Sequence, residues 1–146
     1  MQPSTRGALA YASVIARAGA FLLDWAIVLI IAMFLAAGVD ADQPTRFVIL
    51  LLTLSTYHIV MLIAMSATPG KMALRIHVAD ASGSRLQPDR AILRFLVFFV
   101  SVLIPIGMLV SAVLVVLDPQ RRALHDRVAQ TRVMRGGPDY ENTRPR

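Results

Sequence analysis

Arg17 and Asp24 stand seven residues apart in Arg17-Ala-Gly-Ala-Phe-Leu-Leu-Asp24-Trp-Ala-Ile-Val-Leu-Ile-Ile, a stretch otherwise fit to enter a membrane. A carboxylate inside a bilayer-spanning helix costs several kcal/mol unless something compensates it. Asp24 is therefore a candidate proton or cation site, weighed against a structural counter-charge that fixes helix packing. Two helical turns put both side chains on one stripe, about 10 Å apart along the axis, and Arg leans toward the helix N-terminus. The two are not expected to pair with each other, and each needs a partner on another segment. For Asp24 the candidates are Arg94 and Arg90; for Arg17 they include lipid phosphate reached by snorkelling.

His58 is the next group with chemistry, three residues after Ser55 in a second apolar block. A protonatable His in lipid suggests a relay with Asp24, against the blander reading of a ring satisfied by a hydroxyl or carbonyl across helices. Thr53 and Tyr57 share one helical face, and that face should turn toward the first helix. There is no cysteine, which excludes disulfides, thiolate metal sites and Cys nucleophiles. His58, His77 and His125 show no metal-ligand spacing. His125 and Asp126 are adjacent, so on a helix they point apart, and no Ser or Cys nucleophile motif accompanies them. No enzyme, cofactor or metal is expected.

These residues are carried by blocks of apolar sequence. The 146-residue chain is 56% hydrophobic with a mean hydropathy of +0.61, above a soluble domain. Residues 20–39 are apolar except for Asp24 and Gly38. Residues 47–65 are apolar apart from Thr53, Ser55, Thr56, Tyr57 and His58, and residues 95–117 carry no charge. Blocks near 20 residues read as membrane segments. The small residues Ala36-Ala-Gly38 resemble a signal-peptide cleavage site, but Asp24 interrupts the apolar region and the segment before it is long, so a retained span is expected. The net charge of +6 fits anionic head groups at a membrane surface. Nucleic acid is not expected as a partner, because no basic stripe is interleaved with stacking aromatics.

The connection 40–46 is net acidic, whereas 67–94 holds Lys71, Arg75, Arg85, Arg90 and Arg94. Seven arginines follow Leu117, among them Arg121, Arg122, Arg127, Arg132 and Arg135. The positive-inside rule puts the long connection and the tail in the cytoplasm, so residues 91–117 must return to the side they started from. Pro105-Ile-Gly107 offers the bend. Helices over 91–104 and 107–117 would each be about 17–21 Å long and form a short hairpin that tilts or thins the bilayer; one Pro-kinked span with an external tail is the alternative. Gly107 and Ser111 have small-xxx-small spacing. Leu74, Ile76 and Val78 alternate with Arg75, His77 and Ala79, a half-buried strand, and residues 80–84 make a turn. Residues 131–135 are a weaker strand candidate, needed to pair with the first. Arg121, Arg122 and Arg127 are expected to pair with Asp118 or Asp126.

In this order the pattern resembles the RDD family, small bacterial membrane proteins named for one arginine and two aspartates. The resemblance covers about residues 16–134. Arg17 and Asp24 match the family's arginine at the start of the first helix and its first aspartate. Thr68-Pro-Gly70-Lys71 and Val78-Ala-Asp80 resemble its Thr-x-Gly-Lys and Val-x-Asp elements. Asp118-Pro-Gln-Arg-Arg122-Ala-Leu-His125-Asp126 resembles its final motif, with Asp126 as the second aspartate and Asp118 as fallback. Thr68-Pro-Gly-Lys71 lacks the features of a phosphate loop and is expected to be an interfacial turn. Gln130-Thr-Arg132 is more polar than the small, β-branched run often found in the family's last strand. The family implies a membrane protein in which transport is suspected, and it supplies no substrate.

The expectation is an all-α integral membrane protein with two full transmembrane helices plus a short helical hairpin, four membrane helices in all. A small two-stranded β element sits at the cytoplasmic face. One domain occupies residues 1–135, with a disordered tail over 136–146. It is placed in the bacterial inner membrane with both termini cytoplasmic, as a homo-oligomer or beside other membrane proteins. Its function is either proton-coupled movement of a cation or small solute, with Asp24 titrating and His58 helping, or a non-catalytic accessory or scaffold role in which the charges hold the fold.

Overall fold

The computed structural model describes residues 11–136, so the tail expected beyond Gly136 lies outside the described residues. Two long helices open the fold: α1 (Val14–Gly38) and α2 (Gln43–Met65). Ser13 caps α1 through its side chain, and Asp42 caps α2 with Pro44 in the first turn, where a missing N–H costs nothing. Both helices are long and apolar enough to cross a membrane. Each buries only a narrow stripe of every fourth residue: Ala20, Asp24, Val28, Ala32 and Ala36 on α1, and Leu54, His58 and Leu62 on α2. Small residues on that stripe let the backbones approach. Leu22, Ile30, Met33, Phe34, Leu52 and Val60 face outward, an exposed apolar coat that only lipid or another apolar partner tolerates.

After α2 the chain forms a one-turn helix, α3 (Pro69–Ala73), then β1 (Ile76–Asp80), α4 (Pro88–Leu103), α5 (Pro105–Leu117), a second one-turn helix α6 (Leu124–Val128) and β2 (Thr131–Arg135). α4 begins three residues earlier than the apolar pattern suggests, because Pro88 is accepted at a helix start. For the same reason α5 starts at Pro105 rather than at Gly107, and the break falls on Ile104 alone. The chain bends there by 119°. A Cβ on Gly107 would come within 2.9 Å of the Ser101 Cα, so glycine lets the two helices meet just past the bend. β1 starts at Ile76, not Leu74, because Leu74 caps α3.

β1 and β2 pair antiparallel, with Val78 opposite Val133 and Asp80 opposite Thr131. The chain ahead of α1 joins the other edge of β2, where the Ala12 N–H donates to Val133 O at 2.9 Å. The start of α1, the segments flanking β1 and the chain following α5 therefore meet at one end of the molecule. Ala12, Ala20, Leu62, Ile76, Val78, Leu86, Ala91 and Val133 form the core there. At this end Arg85 Nη2 donates to Ala64 O at 2.7 Å, capping α2.

Candidate functional site

Asp24 and Asp126 are 1% and 0% exposed, and each is surrounded by donors from distant parts of the chain. Asp24 lies on the buried stripe of α1. Tyr57 of α2 donates to its Oδ1 at 2.7 Å, the Gly70 N–H donates to the same oxygen at 2.8 Å, and the Thr68 hydroxyl donates to Oδ2 at 2.5 Å. Lys71 Nζ is 3.7 Å from Oδ2 and donates to Thr68 Oγ1 at 3.0 Å. Residues 68–71 thus turn back against α1 and deliver a hydroxyl, an amide and an ammonium to one carboxylate. Glycine is required at position 70, because a Cβ there would sit 2.8 Å from Asp24 Oδ1 and still closer to Ala20 O.

Asp126 is held from three sides. Arg17 Nη1 of α1 donates to Oδ2 at 2.6 Å, Arg94 Nη1 of α4 bonds Oδ1, and the Ala123 N–H donates to Oδ2 at 2.9 Å. Arg94 also donates to Thr131 Oγ1 at 2.7 Å, linking α4 to the start of β2. His125 Nε2 is 3.6 Å from Asp126 Oδ1. Burial alone would raise the Asp126 carboxyl, but the guanidinium groups of Arg94 and Arg17 hold it well below the usual carboxylate range. Burial pushes the His125 imidazole down to about 3, so it is neutral. Burial also lowers Lys71 to about 8, with Asp24 opposing that shift. Asp118 forms a separate cluster near the surface, with Arg122 Nε at 2.8 Å and Arg127 Nη2 at 3.3 Å.

Several expectations need correction. Arg17 and Asp24 do avoid each other, but Arg94 partners Asp126 rather than Asp24, and Arg90 bonds the Gln130 carbonyl. Arg17 is not a lipid anchor: its side chain is 12% exposed and ion-paired. His58 makes no bond to Asp24; its Nδ1 meets Leu54 O of its own helix at 3.1 Å, and its ring stacks on Phe98 with centroids 5.5 Å apart. Thr68-Pro-Gly-Lys71 is more than a turn. His125 and Asp126 do approach each other, because α6 is a single turn. Tyr57, Lys71 and Thr131 are partners of the buried charges that the sequence pattern does not pair with them. The shared face of Tyr57 with Thr53 held the only signal for one of them. Asp80 takes no part in the network; it closes its own turn by accepting from Ser82 and Ser84.

Beside the two carboxylates lies a cavity of about 330 Å³. Phe21, Phe95, Phe98, Met108 and Val115 line it with apolar surface, and Arg17, Asp24, His58, Lys71, Arg94 and His125 line it as well. Phe98 stands between the two imidazoles, stacked on His58 and edge-on to His125 at 5.7 Å. Among the described residues no three His, Cys, Asp or Glu side chains gather as a metal-ligand set.

Two long lipid-type helices that enclose ionised side chains, with a small sheet at one end, define a membrane protein. The chain belongs to the RDD family, whose family model matches residues 11–130. No curated protein and no solved structure matches it. Of the two aspartates weighed for the late motif, Asp126 is the one that meets Arg17.

Proposed function

We propose that this chain is a multi-pass protein of the bacterial inner membrane that moves a small solute through the cavity between α1, α2, α4 and α5. The observation that carries this is the cavity itself, lined by buried charged side chains and by apolar ones inside a membrane protein. Intramembrane ionisable groups facing a cavity are a recurrent mark of solute and ion pathways. The carboxylates act as fixed parts of that lining. Asp24 already accepts three hydrogen bonds and faces Lys71, which leaves a cation little to coordinate.

The 119° bend at Ile104 and the pairing of β1 with β2 favour α4 and α5 as a short hairpin, giving four membrane helices. The arginines around the sheet favour a cytoplasmic sheet and cytoplasmic termini. The outward apolar coat supports contacts with lipid and with further copies of the chain or other membrane proteins. Saturation of Asp24 and Asp126 favours one element of the accessory reading, namely that the charges hold the fold.

Efflux from proteoliposomes loaded with a panel of small anionic, neutral and cationic solutes tests the proposal, with the parent chain beside Ala112→Phe. Ala112 lines the cavity and takes no part in the charge network. Faster efflux of any solute from parent than from an equally inserted, equally stable Ala112→Phe supports transport. Rates equal to protein-free liposomes for every solute would leave the accessory reading standing.

A further inference from the structure

The cavity wall carries unbalanced charge. Arg17, Lys71 and Arg94 line it together with one carboxylate, Asp24, and Asp126 stands behind the two arginines and engages both. Three cations thus face two carboxylates, and one positive charge remains over. Asp118 does not balance it, being engaged by Arg122 and Arg127. An uncompensated buried charge is costly, so the arrangement calls for an anion.

The donors are also unevenly used. Arg17 commits Nη1 to Asp126, while its Nε and Nη2 are buried without a hydrogen-bond partner, as are Ser111 Oγ and His125 Nδ1. The acceptors, by contrast, are occupied. Asp24 takes Tyr57, Thr68 and Gly70; Asp126 takes Arg17, Arg94 and Ala123. A cationic ligand would meet three cations and no free carboxylate. The rest of the lining is aromatic and aliphatic, and two lining residues, Val14 and Val116, are exposed on the outer surface. The cavity therefore opens toward the surroundings of the bundle. A volume near 330 Å³ is at the lower end of ligand pockets, enough for a head group and part of a chain.

We propose that the cavity binds an amphiphilic anion, with a carboxylate or phosphate head against Arg17 and an apolar body among Phe21, Phe98, Met108 and Val115. This rests on the cavity being the working site. The head supplies the missing negative charge and accepts from the idle guanidinium N–H groups, which suit planar or tetrahedral oxyanions. The body replaces lipid or water against the aromatic wall. A free fatty-acid-like anion and an anionic phospholipid share this chemistry.

The test uses the full chain in phosphatidylcholine nanodiscs with radiolabelled laurate, subtracting protein-free discs. Saturable binding is expected, displaced by unlabelled laurate and dodecyl phosphate but not by dodecyltrimethylammonium. Ala112→Phe should abolish it with an unchanged melting temperature, and Arg17→Gln should weaken it by about tenfold or more. If Arg17→Gln fails to fold, Ala112→Phe and the head-group series still decide. Discs containing phosphatidylglycerol separate the sources: lost laurate binding identifies phospholipid as the occupant, and unaltered binding identifies a free amphiphile. No saturable binding in the parent, or equal displacement by dodecyltrimethylammonium, overturns the proposal. Efflux of a neutral or cationic solute that Ala112→Phe blocks, without anion binding, would overturn the anion while leaving the cavity as a pathway. Absence of both binding and efflux removes both.

Discussion

Asp126 closes two ion pairs with Arg17 and Arg94, so removing its charge strands two arginines in a dry site. Breaking a buried pair from one side costs about 3–5 kcal/mol. Asp126→Asn should lower the detergent melting temperature sharply, whereas Asp118→Asn, whose arginine partners reach solvent when unpaired, should lower it less. Asp24→Asn is milder: a carboxamide keeps one acceptor but turns an NH₂ toward existing donors, for about 1–3 kcal/mol. Stable, monodisperse Asp24→Asn with normal efflux would contradict that structural role. Lys71 gives a pH signature. Its folded pKa of about 8 lies below the ordinary lysine value of 10.5, so between those values the unfolded chain holds a proton that the folded chain has released. Stability should therefore rise with pH across that window, and Lys71→Met should flatten the rise. Lys71 is surrounded by Asp24 and Arg17 on α1, His58 on α2, Arg94 on α4, and His125 and Asp126 on α6; a second titration among them would show as residual slope in that variant. At this scale the sequence told which residues were costly but not which met. Asp24 and Arg17 were visible as charges in apolar surroundings, while their partners lie 33 to 109 residues away, where periodicity carries no information.

The elements that bring those partners in are short or bent. Gly70 packs its backbone on Asp24 and Ala20; Gly70→Ala must push residues 68–71 off α1, and overpacking of this kind costs about 1–3 kcal/mol. A melting temperature equal to parent would show that the turn yields without loss. Gly107→Val at the α4–α5 contact should destabilise by a similar amount. The long helices were legible from their apolar runs, and the bend between α4 and α5 was legible from Pro105-Ile-Gly107. α3 and α6 were not: five residues are too few to show a period, and both are held by side chains from elsewhere.

Over the whole molecule, the sheet decides which ends lie together. β1 precedes the α4–α5 pair and β2 follows it, yet they are hydrogen-bonded. Since the chain has no cysteine, single substitutions report sidedness directly. Gly83→Cys and Pro119→Cys should react with a membrane-impermeant maleimide from the same side, and Gln43→Cys from the other. Labelling of residues 83 and 119 from opposite sides would mean that residues 88–117 cross as one kinked span. Charge counting expects the same-side outcome, because the arginine distribution is a property of the whole chain and survives ignorance of any single contact.

Pairing Arg17 with Asp126 across 109 residues also imposes an order in time. A ribosome adding roughly 5–20 residues per second makes the arginine long before its aspartate, leaving Arg17 without its ionic partner for about 5–20 s of synthesis. During that interval α1 can sit only as deep as the arginine's reach to the interface allows. The closing turn of the chain is thus a latch, and the surroundings of Arg17 are completed only once Asp126 is in place.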